Sequence, residues 1–550
     1  MQTLYIYNSN SDKKIDTSCN NFTYNLNNGK IRSNAICIDD SKYLHSIALE
    51  LRDSYVKRVN SFNKYFLDSN LIYENTISMF FLSDIFNKRT EIFDTYLSIC
   101  NLTFIQRFLD QNKNISSIIT IGCNSNFNTS LKSFILDKKL EIKDEIKSSK
   151  KINRLYRSQI KFFFLVTIKL FLIKMLFKQK EIKSSKRLFL SRYPLHFDTN
   201  QKEKKYGSYF KYNKDVFMIS LITDGLHQNL NIRDTITYLK KIKNSKNFLF
   251  LDYHLNYKDL INGFVSAFKL IKKAKNLGKY NYIFNGININ DFFQLEIQLS
   301  FLRIPRLMIY KNALIKTVNK KSFKKFIFYL HEYSYGQYFN YIFAKYFPSI
   351  KRIGFQHGPA SERKLLYFLG KEIVSNSNEN WRGKSPIPDQ IMAEDKSSKI
   401  IYESAGYKNV KCMKKIYRLS YLNKIKRKTS ERKSILIVPG LHDEMLLFNR
   451  LKKIIEDNKN TKFIFKPHPR GIFNHKNQKI NLNNLEIGNK HISDYLSYVS
   501  EVYCTYSSVG YEAYKLKIPV TLICFQNKIN ESPLIDFYSE SYKKNINIIW

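Results

Sequence analysis

From residue 187 onward the chain alternates short apolar runs with longer amphipathic stretches. The runs are RLFLSRY (187–193), DVFMISLIT (215–223), NFLFLDY (247–253), YNYIFNG (280–286), FKKFIFYLHE (323–332), IKRIGFQHG (350–358) and PDQIMAED (388–395). A second series follows: KSILIVPG (433–440), a helix through DEMLLFNRLKKIIEDN (443–458), TKFIFKPHP (461–469), VYCTYSS (502–508), a helix from Val509, and IPVTLICF (518–525). Such spacing predicts βα units, hence parallel sheets covered by helices. Two series in tandem predict an α/β fold of two Rossmann-type domains facing a cleft, with ligands at the carboxyl ends of the strands.

Before residue 150 the signal is sparser. TLYIY (3–7), NAICID (34–39) and SIITIGC (117–123) read as strands, and SKYLHSIALELRDSYVKRV (41–59) as a helix. This predicts a further α/β domain of unknown role over residues 1–150. IGCNSN ends a strand in a turn but lacks the G-x-G-x-x-G spacing that cradles a dinucleotide.

Between the two parts lies KFFFLVTIKLFLIKMLFKQKEIKSSKR (161–187), with thirteen strongly apolar residues between Phe162 and Phe177. Each favours membrane insertion by roughly 0.3–0.6 kcal/mol, while Lys169 and Lys174 oppose it by about 2.5–3.5 kcal/mol each, so the sums nearly cancel. The run is also short for a span, which needs about twenty residues. An interfacial helix over 151–186, its lysines reaching to headgroups, fits these numbers, and a buried core helix is the alternative. Arg154, Arg157, Lys161, Lys178, Lys180 and Lys183 favour an anionic inner-leaflet surface.

Length and charge refine the picture. At 550 residues the chain exceeds one core and suggests roughly three or four domains. The expected boundaries are 1–150, 151–186, an acceptor domain at 187–428 and a donor domain at 429–550. The net charge of +45 is spread along the chain as lysine among asparagine and isoleucine, without zinc-finger, RRM or basic-zipper patterns. That argues against nucleic acid and for a coding bias combined with anionic lipid or phosphorylated substrates. The seven cysteines show no metal-type spacing, and the N-terminus has no basic stretch followed by an apolar one. A reducing cytoplasmic location without a signal peptide is expected.

Candidate chemistry sits at the strand ends. In TKFIFKPHPRG, His468 stands between Pro467 and Pro469 and two residues after Lys466. The flanking prolines hold it extended and end the strand. Gly440, Glu332, His357 and Ser507 occupy the carboxyl ends of other strands. Ser507 and Ser508 precede a helix carrying Gly510 and Glu512, and hydroxyls and backbone N–H groups at a helix N-terminus donate to phosphate oxygens. With Lys466 and His468 they predict a diphosphate or nucleoside-monophosphate site.

K-P-H-P followed some forty residues later by S-S-x-G-x-E-A and I-P-V resembles the C-terminal domain of GT-B glycosyltransferases that use cytidine-nucleotide donors. These include bacterial sialyl- and Kdo-transferases and, more distantly, CDP-glycerol glycerophosphotransferases. The resemblance implies that His468, Pro469, Ser507 and Ser508 hold the donor phosphate and that Glu512 lies near the ribose. Upstream, FLSRYPLHFD with KYGSYF (189–210), LHEYSYGQYFNYIFAKYFPSIKRIGFQHG (330–358) and AGYKNVKCMKKIYRLSYL (405–422) are similar to bacterial surface-carbohydrate biosynthesis proteins. The likeness extends over about residues 155 to 540. Lys415 stands where a small residue is expected, which leaves a donor contact by Arg418 open. GT-B folds often send a helix back across the cleft after their last strand, and such a helix is expected to be short or absent here.

The implied reaction is transfer of an acidic sugar from a CMP-activated donor to a glycan or glycolipid acceptor. It needs a base for the acceptor hydroxyl and charge or hydrogen bonds for the departing phosphate. Glu332 and His357 compete as the base, with Glu332 preferred. No Asp-x-Asp pair is present, so neither a metal nor another cofactor is expected. A CDP-polyol-dependent polyol-phosphate transferase and a non-catalytic GT-B scaffold are the alternatives.

Overall fold

The computed structural model describes the chain apart from residues 1, 9–12, 15–19, 27–30, 33, 91, 148–151, 183–184, 212–213, 222–230, 331–332, 376–380, 429–432, 442, 469–470, 472–482 and 540–544. Its middle sheet has seven strands in the spatial order Phe248–Phe250, Val216–Ile219, Arg187–Leu190, Lys325–Tyr329, Lys351–Phe355, Gln390–Ala393 and Val410–Cys412. All of these neighbours run parallel. Its central strands are buried on both faces, as the near-continuous apolar run Phe326-Ile327-Phe328 requires.

The C-terminal sheet has six parallel strands, ordered Leu485–Ile487, Lys462–Phe465, Ser434–Val438, Glu501–Cys504, Val520–Ile523 and Ile546–Ile549. Counted in chain order within each sheet, both follow 3-2-1-4-5-6, the middle one adding a seventh strand. This is the doubly wound Rossmann order, and the tandem pair is the GT-B-like α/β arrangement expected above. The order reverses between Arg187–Leu190 and Lys325–Tyr329 in one sheet and between Ser434–Val438 and Glu501–Cys504 in the other. Chain leaving the strands diverges at those points and opens a crevice.

A third sheet, near the N-terminus, runs Ile36–Cys37, Phe22–Asn25, Gln2–Tyr7, Ile115–Ile121 and Lys139–Lys143, again parallel throughout. It does not keep a core of its own. One continuous apolar cluster extends from Leu4 and Ile6 through Phe80 and Phe301 to Tyr329 and Ile391. Polar ties reinforce the junction. Glu74 accepts from Lys311 Nζ at 2.5 Å and Lys345 Nζ at 2.8 Å, and Asp84 pairs with Arg303 at 2.6 Å.

Two expectations change. YNYIFNG is not a strand of the middle sheet: Ile283–Phe284 folds back antiparallel on Ile287–Asn288. Asn285 and Gly286 take φ of 47° and 79°, the left-handed pair of a two-residue hairpin turn, so the Asn-Gly signal overrides the apolar run. Lys169, expected to reach headgroups, is 9% exposed, and burial lowers its pKa while Asp252 opposes that shift.

The helix holding Lys169 spans Ile152–Leu176 and packs on Tyr257–Ala274 and Asn290–Met308. Phe163, Val166, Leu170 and Ile173 bury one face, and Gln159 Nε2 donates to the Leu302 carbonyl at 2.9 Å. The other face keeps Ile160, Phe164, Phe171 and Met175 exposed by 51%, 66%, 57% and 61%. At about 100° per residue these four fall within a sector of about 60°. Among the described residues no helix is long and apolar enough to cross a membrane.

Candidate active site

A cavity of about 230 Å³ opens in the cleft between the two Rossmann-type sheets. His357, Gly358, Pro359, Lys364 and Tyr367 line it from the middle sheet, and Tyr506, Ser507, Ser508 and Tyr511 from the C-terminal one. Glu531, Ser532 and Pro533, after the strand Val520–Ile523, close another side, and Arg89 enters from the N-terminal region. Drug-sized ligands occupy about 300–1,000 Å³, so this volume takes only part of such a ligand, with the remainder in the open cleft.

His357 is held by the loop that carries it. Lys351–Phe355 delivers the chain to the cleft, and Gln356 Oε1 accepts from the Glu394 amide at 2.8 Å while its Nε2 donates to the Gly358 carbonyl at 2.7 Å. Glu394 Oε1 accepts in turn from the Gly358 amide at 3.1 Å. Gly358 takes φ 137°, a conformation that side chains other than hydrogen strain, so the turn needs glycine. The His357 ring lies 4.5 Å from that of Tyr329, whose hydroxyl donates to the buried Glu203. Burial raises the Glu203 carboxyl to about 7, against hydrogen bonds from Tyr329, Tyr206 and Ser191 that favour its ionised form.

On the opposite wall, Ser507 caps the helix Ser508–Lys515, its hydroxyl accepting from the Val509 amide at 3.4 Å. Ser508 and Tyr506 are exposed to the cleft. Gly510 lets this helix sit close on its strand: a Cβ there would stand 2.4 Å from Cys504 Sγ. Gly440, at the switch point, donates its amide to Thr505 Oγ1 at 3.1 Å and lies under the Tyr506 ring, which a Cβ would meet at 2.6 Å.

The cavity therefore joins His357, Ser507 and Ser508. Lys466 and His468 end the strand Lys462–Phe465, with Ser434–Val438 between it and Glu501–Cys504. At about 4.8 Å per strand this sets them roughly 10 Å from the serine turn. They are absent from the cavity lining, and the His468 amide donates to Glu444 Oε1 at 2.7 Å. Arg418 faces Glu394, with Nε at 2.5 Å and Nη2 at 2.9 Å from its oxygens. Glu512 is 6% exposed, accepts from the Tyr421 hydroxyl, and has its pKa raised by burial. Glu332 and Pro469 lie outside the described residues.

Sequence reasoning missed Lys364, Tyr511, Glu531 and Arg89. Lys364 follows His357 by seven residues and could have been taken with it. Arg89, in NKRTEIF, carries no local signal.

No family model and no curated protein matches the chain. Solved structures aligned with it include Thermosulfurimonas dismutans KpsC, beta Kdo 2,7 transferase, at 22% identity over 24% of this chain and 43% of that one, TM-score 0.17. Its beta Kdo 2,4 transferase counterpart gives 18% identity over 18% and 35%, TM-score 0.16, so the chain spans well under half of either. Anabaena Alr3699/HepE in complex with UDP and glucose aligns over 66% of this chain and 91% of that one, at 11% identity and TM-score 0.31. At such scores these alignments add nothing to the fold, which rests on the strand orders.

Proposed function

We propose that the chain is a glycosyltransferase of bacterial surface-polysaccharide synthesis, such as capsule, lipopolysaccharide or O-antigen. In this reading it transfers an acidic sugar such as Kdo or sialic acid from a CMP-activated donor. The carrying observation is the meeting of His357 with Ser507 and Ser508 in one cleft cavity, between the carboxyl ends of two parallel sheets. Lys364 and the start of the helix Ser508–Lys515 stabilise the departing CMP phosphate, where positive potential and N–H groups oppose developing charge. His357 takes the acceptor proton or contacts the phosphate; Glu332 is the other candidate base. Lys466 and His468 extend the donor surface on the far side of Gly440, towards a part of the nucleotide beyond the cavity. Arg418 acts on His357 at one remove, through Glu394 and Gly358.

The test is incubation of the full chain with CMP-sugars and CDP-polyols, following hydrolysis and thermal shift. A response confined to CMP-sugars supports the reading. A response confined to CDP-polyols assigns polyol-phosphate transfer, and none assigns a scaffold.

The same reading seats the protein on an anionic inner-leaflet surface. The exposed stripe Ile160, Phe164, Phe171 and Met175 supplies apolar area. A groove at its C-terminal end is lined by Lys178, Lys180, Lys243 and Lys246, with Glu181 the one acid there. Apolar side chains flanked by lysines match acyl chains below anionic headgroups.

A further inference from the structure

Tyr511 crosses the cleft. It lies on the helix Ser508–Lys515, one turn after Ser508, and its hydroxyl donates to Asp395, which follows the middle sheet's strand Gln390–Ala393. Lys515, a further turn on, places Nζ 3.9 Å from the same carboxylate oxygen. The other Asp395 oxygen accepts from the Ser398 amide at 2.9 Å and caps the helix Lys396–Ser404. Burial disfavours the Asp395 charge, but the Tyr511 hydroxyl, the Ser398 bonds and Lys515 outweigh it and hold the carboxyl below its usual range. Glu394, the residue before, holds the His357 loop by accepting from the Gly358 amide at 3.1 Å. Two adjacent carboxylates on one stretch of backbone thus grip opposite walls of the cavity. The connector between the sheets closes a ring around them: Arg418 meets Glu394, and Tyr421, three residues on, donates to Glu512 beside Tyr511. The loop after the strand Val520–Ile523 is pinned separately to the N-terminal region. There the Asn527 amide donates to Asp40 Oδ1 at 3.0 Å, the Asn530 amide to His45 Nε2 at 2.8 Å, and the Thr90 hydroxyl to Glu531.

We propose that Asp395 is a positioning residue that sets the spacing of His357 from Ser507 and Ser508, by clasping Tyr511 while its neighbour Glu394 holds the His357 loop. This rests on the reading of the cavity as the transferase site. A phosphate at the serine turn and a proton acceptor at His357 must stand at one separation for transfer, and small misplacements of reacting groups are costly. The serine turn moves with its helix, and Tyr511 is the residue of that helix bonded directly to the opposite wall through a carboxylate. A charge-assisted hydrogen bond of this kind is short and directional, which suits a fixed distance better than apolar packing does.

Two variants of the full chain break the clasp from either side. Asp395→Ser keeps a helix cap for the Ser398 amide but withdraws the carboxylate from Tyr511, and Tyr511→Phe removes the hydroxyl alone. The first readout needs no ligand: amide hydrogen exchange at Gly358, across the cleft from Tyr511. Tyr511→Phe is expected to speed it about tenfold, together with exchange in Ser508–Lys515, because the two walls then open independently. A change confined to Ser508–Lys515, or none, overturns the inference. The second readout is the NMR signal of the His357 ring, assigned with His357→Ala, at saturating CMP. The field of a phosphate falls with distance, so the displacement seen in the wild type should shrink by about half or more in both variants. An undiminished displacement overturns the inference, as does a wild type that binds CMP without a response at His357. If the wild type binds no CMP, the cytidine-donor reading falls and the exchange at Gly358 alone decides the clasp. The double variant should be no worse than either single one, since both remove one bond; additive effects overturn the assignment.

Discussion

Arg303 and Asp84 form an ion pair at 2.6 Å whose side chains are only 7% and 0% exposed, joining the helix Asn290–Met308 to the N-terminal region five residues before Arg89. Ser334 adds its hydroxyl to Asp84 at 3.3 Å. Removing one partner strands a buried charge. Arg303→Met is therefore expected to destabilise the protein by about 3–5 kcal/mol, and Arg303→Met with Asp84→Leu to recover most of that loss. Chemical denaturation of the two variants measures the difference; equal losses would mean that the pair is not the anchor.

For the site, His357→Ala is expected to lower turnover by roughly 10²–10⁴ if the histidine is the base, with donor affinity nearly unchanged. Glu332→Gln should then leave most of the rate. The opposite pair of results assigns the base to Glu332. A fall in CMP affinity on His357→Ala makes the residue a phosphate contact.

His468→Ala tests the donor surface beyond the cavity. A lost charge-assisted hydrogen bond costs roughly 1.5–3 kcal/mol, so binding of CMP should weaken more than tenfold while the melting temperature stays put. Affinity within twofold would confine the donor site to the His357–Ser507 side of the cleft.

Gly510→Ala addresses the serine turn from behind. The new methyl would stand 2.4 Å from Cys504 Sγ, so the helix Ser508–Lys515 must move or the strand must give. A stability loss of about 1–3 kcal/mol is expected. Weaker CMP binding should accompany it, because the cap at Ser507 shifts with the helix. Gly510→Ala combined with Cys504→Ala should restore both, which denaturation and calorimetry together would report.

Stability should carry a signature of Glu296. Burial raises this carboxyl to about 8, and Asp84 and Asp94 add to the rise against the Thr95 hydroxyl bonded to it. Between pH 4.5 and 8 the folded chain keeps a proton that the unfolded chain releases, so this residue's contribution falls as pH rises. Glu296→Gln removes that slope. The stability of the variant relative to wild type should therefore increase steadily from pH 5 to pH 8, by up to about 1.4 kcal/mol per unit. A flat difference would mean that the carboxyl titrates normally.

At the membrane, the full chain is expected to float with anionic vesicles at low salt and to be released as salt rises, each basic residue near the surface contributing about 1 kcal/mol. Phe164→Ser with Phe171→Ser and Met175→Ser should abolish flotation and spare the fold, since these side chains lie outside the packed face. Binding that resists salt, or a variant that still floats, would assign another surface.

The βα rhythm after residue 187 was legible because parallel strands buried on both faces must be apolar runs, and helices must fill the gaps. Edge strands such as Val410–Cys412 and Leu485–Ile487 escaped notice, being three residues long with a charged residue, Lys411 or Glu486, at the centre. His357 and the serine pair were recognisable from their places after strands. Their meeting was not, since it depends on how two sheets face each other. His468 shows the converse: its place just past a strand end was readable from the flanking prolines, whereas its separation from Ser507 depends on which strand lies between. Arg89 belongs to a third sheet's surroundings, and nothing within a few residues of it encodes a place in one cavity lining with Ser532 and Tyr506.

Because the apolar cluster runs unbroken from Leu4 to Ile391, the N-terminal region cannot be trimmed as a passenger. A chain shortened to residues 187–550 would bare the flank of Phe293, Phe301 and Tyr338 to water and release the loop at Asn527–Glu531 from its moorings. Such a fragment should aggregate, as broad exposed apolar patches do. Opening and closing of the cleft would be restrained as well: any rocking of the C-terminal sheet must slide or break the ties at Asp40, His45 and Thr90, so the protein is built as a braced vise with one jaw pinned to a third body.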